Sequence, residues 1–435
     1  MFWSRLIVTR LCVCGTRTYI RLRKDNKMSL AALRQWWLAH RTIVFRGAVL
    51  FMALVALYRL GNELSRLLWE VGPVGAIDLR LRHIEVHGWF AGRPVYRELV
   101  TASYPPATYV ILWPFLGWLA FTAAWWLWAA TTAIALGWCA YLAVRESSAD
   151  TVLERGFIAL FPFSMYATSA AIQNGQLVVH LLPLLIAGYT LLSRREGGWR
   201  EDLFAGLLIV ATLVSPTIAA PFFWIALFVP ATLRPALVVV LGYVALTLLA
   251  ASFQETSFVS LLLNWRTFAL NGAIHGARKG GYANWHSWLV AFGATSWNLP
   301  ISLLTLAALG VWTYRHRCAD LWLLLGVTAI VARMWTYHRI YDDLLMLLPM
   351  VTLFRLAKRS APAERSGVIA GVLLAIAWIA ALTPTRLLRF SALWNWLFRA
   401  EQPFVWIAIL IFLLNQTRQE KKRRLTRERN VSVSL

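Results

Sequence analysis

Asp78 is the residue with the clearest means to do chemistry. It sits in Val74-Gly75-Ala76-Ile77-Asp78-Leu79, a carboxylate among apolar neighbours. Such a setting strips part of its water and raises its basicity, which suits a general base. The surrounding segment, 61–106, carries five acids (Glu63, Glu70, Asp78, Glu85, Glu98) and five arginines (Arg66, Arg80, Arg82, Arg93, Arg97). Most of these read as a solvated, self-paired surface. Arg80 and Arg82, close to the base, are also candidates for holding an anion such as a phosphate.

Other residues add to this chemistry. Arg333 lies inside an apolar run, where an ionisable side chain is expensive and usually functional. It either meets an anion or extends to the outer surface. His338 and Arg339 follow as further phosphate donors, with an interfacial histidine as the plainer alternative for His338. Gln173 and Gln176 flank Asn174-Gly175. Gln176 could hydrogen-bond a sugar hydroxyl, although Asn-Gly alone marks a tight turn. His83 and His87 are four apart, the spacing of a metal pair on a helix, but lack a clear third ligand beyond Glu85 or Asp78. No metal and no other cofactor is expected. His180 reads as an interhelical histidine. Asn284-Trp285-His286-Ser287-Trp288 either stacks a sugar ring or forms part of an interfacial tryptophan belt.

The elements that position these residues follow from composition. The 435 residues are 59% hydrophobic and 14% charged, with mean hydropathy +0.59. Soluble domains carry about 25% charged residues. An ordinary soluble globule, a disordered chain and a disulfide-stapled one are therefore excluded. The 24 Trp, 22 Phe and 13 Tyr suit many membrane–water interfaces. Continuous rather than alternating apolar runs exclude a barrel, leaving an all-α polytopic membrane protein. Cys12, Cys14, Cys139 and Cys318 are scattered and read as incidental. The net charge of +23 collects between apolar runs and at both ends. The positive-inside bias explains it without nucleic acid, for which no motif is present.

Thirteen apolar runs lie between residues 42 and 415, near 42–60, 107–121, 122–144, 156–172, 177–193, 203–214, 218–233, 236–253, 299–314, 320–336, 343–357, 367–383 and 403–415. Basic segments 1–41 and 416–435 place both ends in the cytoplasm, which requires an even number of crossings. Met28 is an alternative start. Pro105, Pro106 and Pro114 make 107–121 a poor straight helix. Letting it re-enter gives about twelve transmembrane helices in one domain, 42–415. The outer segments are then 61–106, 173–176, 254–298, 337–342 and 384–402, the last against the rule because of Arg386, Arg389 and Arg399. No repeat is evident.

Asp78-Leu79, then Gly92-Arg93-Pro94-Val95-Tyr96, then Tyr104-Pro105-Pro106 before a run containing Pro114, resembles the opening of glycosyltransferase family 87. These are integral membrane enzymes of the C type that use polyprenyl-phosphate sugars, mostly mannosyltransferases. Asn174-Gly175-Gln176 resembles the family's Gly-Gln turn, and Tyr341-Asp342-Asp343 through Pro349 its polar-aromatic mouth. The resemblance runs in order over about 60–350. Ser215-Pro216 stands where the family often has Lys-Pro, and Asp342 replaces a usual histidine, which bears on the donor-phosphate contacts.

The resemblance implies the C-type glycosyltransferase fold and an active site on the outer face. Asp78 would be the base of an inverting transfer, and Arg80, Arg82, Arg333, His338 and Arg339 would hold the donor phosphate. Tyr96, Tyr104, Gln176 and Asp342 would surround the substrate, with Tyr104-Pro105-Pro106 also fixing the loop's return to the membrane. The partners would be a polyprenyl-phosphate sugar, a lipid or glycan acceptor and membrane lipids, at a bacterial inner membrane. The competing expectation is a transporter or flippase of an anionic lipid-linked substrate, with Arg333, His180, Asp342 and Asp343 along its path. That would bring internal repeats and broken helices at the midplane. A scaffold, the third possibility, would leave Asp78 dispensable.

Overall fold

The computed structural model describes residues 30–69, 75–99, 101–193, 198–279, 283–359, 365–383 and 392–433. The expectations for Cys12, Cys14, Glu70, Arg386 and Arg389 fall outside them. Residues 30–44 belong to a separate compact unit and enter only as the first turns of α1.

Among the described residues every regular element is helical. Short 3-10 turns at Ala220–Phe222, Thr295–Trp297 and Ile340–Met346 join α-helices, which in order are α1 (Leu30–Trp69), α2 (Ile77–Phe90), α3 (Val95–Glu98), α4 (Pro106–Leu116), α5 (Phe121–Glu146), α6 (Val152–Ser164) and α7 (Tyr166–Asn174). Then come α8 (Val178–Leu192), α9 (Trp199–Thr212), α10 (Pro216–Ala219), α11 (Phe223–Phe228), α12 (Arg234–Ala251) and α13 (Phe258–Lys279). The last are α14 (Trp285–Ala291), α15 (Asn298–Arg315), α16 (Leu321–Met334), α17 (Leu347–Arg359), α18 (Arg365–Leu382) and α19 (Ala392–Val433).

Among the described residues, four stretches are long and apolar enough to cross a membrane: Ala39–Glu63, Phe121–Glu146, Arg234–Ala251 and Arg365–Leu382. A fifth is the pair α7 and α8, bent by 119° at its break. The chain is thus a helical membrane protein, with four or five candidate spans among the described residues. Pro106–Leu116, Pro216–Phe228 and Leu321–Met334 are shorter apolar helices. The segment expected as an outer loop from residue 61 begins as helix, because α1 continues to Trp69. The second outer segment is likewise helical, forming α13 and α14.

Local chemistry explains the helix ends. Thr151 and Glu154 form a capping box at the start of α6, with Thr151 Oγ1 accepting from the Glu154 amide at 3.2 Å. Arg59 on α1 donates to the Ser164 carbonyl at 2.7 Å and the Leu382 carbonyl at 2.5 Å, placing a cation at the C-termini of α6 and α18. The core is centred on α16 and α17, which run antiparallel. Thr352 Oγ1 donates to the Trp322 carbonyl at 2.7 Å, and Leu324, Leu325, Leu347 and Leu348 have no exposed surface. This pair carries charged groups at both of its ends.

Candidate functional site

Asp78 lies in the first turn of α2, and the break between α7 and α8 fixes its place. Gly175 ends α7 in the left-handed region at φ +69°. The Gln176 amide returns to the Ala171 carbonyl at 2.9 Å, a Schellman-type closure. The Ala76 amide, just before α2, donates to the Gln173 carbonyl at 3.0 Å. A side chain at Gly175 would put its Cβ 2.6 Å from Leu79 Cβ, so only glycine admits α2 this closely. The result is a direct hydrogen bond from Gln176 Nε2 to Asp78 Oδ2. Two residues nearly a hundred positions apart meet because a glycine break and a helix start are docked together.

Four residues on from Asp78, Arg82 is on the same face of α2. It pairs with Glu85 at 2.5 Å, donates to the Thr101 carbonyl at 3.3 Å, and has its guanidinium 4.4 Å from the centre of the Tyr104 ring. Thr101 Oγ1 donates to Glu85 at 3.1 Å, and Tyr96 OH donates to the Tyr104 carbonyl at 2.7 Å. Arg82, Glu85 and Tyr96 are buried. This group holds the 101–104 segment beside the carboxylate, and Glu85 already neutralises the Arg82 charge.

The opposite wall is the mouth between α16 and α17. Asp342 Oδ2 accepts from the Arg339 amide at 3.1 Å and lies 3.0 Å from His338 Nδ1. Arg339 donates through Nε to Tyr337 OH and is exposed. Arg333, only 3% exposed, forms an ion pair with Asp343. Of the two alternatives for Arg333, outward extension is overturned. An arginine buried at that depth needs an anion close by, and Asp343 supplies it. α13 lies against this mouth. Trp265 Nε1 donates to the Ser103 carbonyl at 3.1 Å, and a Cβ at Gly276 would fall 2.4 Å from the Tyr337 ring.

Electrostatics follow from this packing. Burial raises the Asp78 carboxyl above the ordinary range. Arg82, Arg339 and the Gln176 hydrogen bond pull it partly back, while Asp342 adds to the rise. Burial likewise pushes the Tyr104 phenol up to about 12. His286, on α14, is pushed by burial down to about 4, so its imidazole is neutral near pH 7. A partly desolvated carboxylate with an exposed arginine in electrostatic range can accept a proton while a neighbouring anion leaves.

The structure therefore gathers Asp78, Arg82, Gln176, Tyr104, Arg339 and Asp342, with His338 tied to Asp342. Tyr96 is behind them as a brace. Arg80 is turned away. Two residues along a helix from Asp78, it faces the opposite side and stands over the Phe121 ring at 4.3 Å. His83 and His87 have ring centroids 4.3 Å apart, and His83 Nε2 is 2.9 Å from the Leu119 carbonyl. No group of three potential metal ligands occurs among the described residues. Ser215 hydrogen-bonds Thr217 at 3.4 Å. His180 meets Thr131 Oγ1 at 3.1 Å, an interhelical contact.

Sequence reasoning missed the Arg333–Asp343 pairing and the role of Thr101. The first had a signal, since a charge within an apolar run demands an opposite charge nearby. Thr101 had none. Comparison of the chain with protein-family models, curated proteins and solved structures finds no match.

Proposed function

We propose that the chain is a membrane-embedded hexosyltransferase of the C type. It moves one sugar, a mannose-like hexose, from a polyprenyl-phosphate donor to a lipid or glycan hydroxyl on the outer face. Asp78 removes the acceptor proton as the sugar carbon is attacked with inversion, and Arg339 with His338 receives the departing phosphate. The twelve-span C-type topology and the likeness to glycosyltransferase family 87 belong to this proposal. The observation that carries it is the Asp78 carboxylate, bonded by Gln176 and within electrostatic range of Arg82, Arg339 and Asp342. That is a base beside cationic groups, the pairing an inverting transfer to a phosphate-leaving donor needs.

The test is transfer from a labelled polyprenyl-phosphate sugar by the full chain in nanodiscs. Asp78→Asn keeps the size and removes the base, so transfer should fall about a thousandfold with Tm preserved. In the wild type the acid limb of the rate profile should sit above the ordinary aspartate value of about 3.9, because burial raises Asp78. Undiminished transfer by Asp78→Asn would falsify the assignment. The 119° break between α7 and α8 favours a second reading, a transporter of an anionic lipid-linked substrate. On that reading proteoliposomes would move a fluorescent lipid phosphate across the bilayer, and Asp78→Asn would leave that flux intact.

A further inference from the structure

Next to the Asp342 mouth, five buried polar atoms have no partner: His286 Nδ1, Ser287 Oγ, both amide ends of Asn298, and His338 Nε2. The four side chains are no more than 4% exposed. They belong to a single network drawn from three segments. Asn284 Nδ2 donates to the His338 carbonyl at 3.5 Å, and Asn284 Oδ1 accepts from the Ser287 amide at 2.9 Å. His286 Nε2 is 2.9 Å from Ser302 Oγ and 3.2 Å from the Asn298 carbonyl. Ser302 Oγ donates to the Trp335 carbonyl at 2.7 Å. His338 then joins the network to Asp342.

Single unpartnered buried atoms occur elsewhere in the chain, but here five fall in one network, a concentration that ordered water or a polar ligand must satisfy. Their chemistry restricts it. Amide, hydroxyl and imidazole groups offer both donors and acceptors. None of the four side chains is a carboxylate, an ammonium or a guanidinium, and the charges nearby are already matched, Asp342 to His338 and Arg333 to Asp343, so no unmatched charge is there to hold an ion. A neutral molecule with several hydroxyls on a rigid frame satisfies mixed donors and acceptors together. Trp285, half-buried beside His286, adds an apolar face for the C–H side of such a frame.

We propose that this network is the subsite for the hydroxyls of a hexopyranose ring. The proposal rests on the transfer reaction above and names where the sugar is held. Asn298 is its centre, because both ends of its amide are unpaired.

The test reads binding without turnover. Thermal melts of the full chain in nanodiscs are taken with methyl hexopyranosides, using cyclohexylmethanol as a ring of similar size without the hydroxyls. The wild type should be stabilised by one of the glycosides and not by the control. In Asn298→Leu the sugar-free Tm should rise, because an unpaired buried amide has gone, while glycoside affinity falls on the order of tenfold. If Asn298→Leu does not fold, Ser287→Ala provides the same comparison with a smaller loss. Absence of any glycoside-dependent shift in the wild type overturns the subsite, as does a shift undiminished in the variant that folds. That second result assigns the gaps to ordered water. Neither depends on the Asp78→Asn outcome, so failure of the subsite and failure of the transfer reading are separable.

Discussion

The two ends of the α16–α17 pair carry similar residues but treat their aspartates differently. At one end, Asp320 Oδ2 accepts from Arg355 at 3.1 Å and Arg359 at 2.6 Å, while its Oδ1 caps α16 by accepting from the Trp322 amide at 2.9 Å. The Asp320 amide donates to Glu420 on α19 at 3.2 Å. Both carboxylate oxygens and the amide are used. At the other end, Asp343 takes Arg333 on one oxygen, but its Oδ2, Arg333 Nη1 and His338 Nε2 are buried with no partner. Each such orphan costs roughly 1–3 kcal/mol. Neither end is fully paired, since Arg355 Nε and the Trp322 indole N–H are buried without a partner as well; the difference lies in the carboxylates, Asp320 using both oxygens and Asp343, on the side of the Asp78 carboxylate, only one.

The comparison can be broken most forcefully at Arg333. Arg333→Met leaves Asp343 buried without its counter-charge, and stability should fall by about 3–5 kcal/mol. Adding Asp343→Leu should restore most of it. Chemical denaturation of the double variant is the check, and a double variant no more stable than Arg333→Met would mean that the pair is not what the bundle relies on.

Gly175→Ala should cost about 1–3 kcal/mol, because an alanine is strained at φ +69° and meets Leu79. It should also lower kcat by moving Gln176 off Asp78. A variant with normal Tm and normal kcat would show that the two elements are docked less tightly than described.

At the Asp320 end, Asp320→Asn should cost about 1–2 kcal/mol, discounted because Arg359 is half-exposed. Burial alone would raise Asp320, but Arg355 and Arg359 outweigh it and hold the carboxyl below its ordinary value. Its contribution is therefore complete above about pH 4, the unfolded value, and is lost as pH falls through the lower folded one. Melts of wild type and variant should converge in that acidic window; a gap that persists there removes the charge explanation.

The smallest effect belongs to Arg80. It stands over Phe121 and away from Asp78, so Arg80→Gln should leave transfer nearly unaltered. A large loss of donor use would return Arg80 to the site.

Much of the site was legible along the chain. Asp78 stood out as an acid among apolar residues, Gln176 as a polar residue at a glycine break, and Asp342 beside His338 at the end of an apolar run. Each is marked by an abrupt local change of polarity. Arg80 and Arg82 looked alike, because a sequence lists neighbours without saying which side of a helix each occupies. The Asn298 amide was invisible, since an asparagine at a helix start ordinarily caps it.

Composition and hydropathy are enough to make this a helical membrane chain, since the backbone of so apolar a sequence must satisfy its own hydrogen bonds in lipid. The identity of each charge's partner is another matter. Arg333 with Asp343, Arg82 with Glu85 and Gln176 with Asp78 are contacts set by how helices dock and turn. Burial and electrostatic strength depend on distances in space, which no order of residues along the chain specifies.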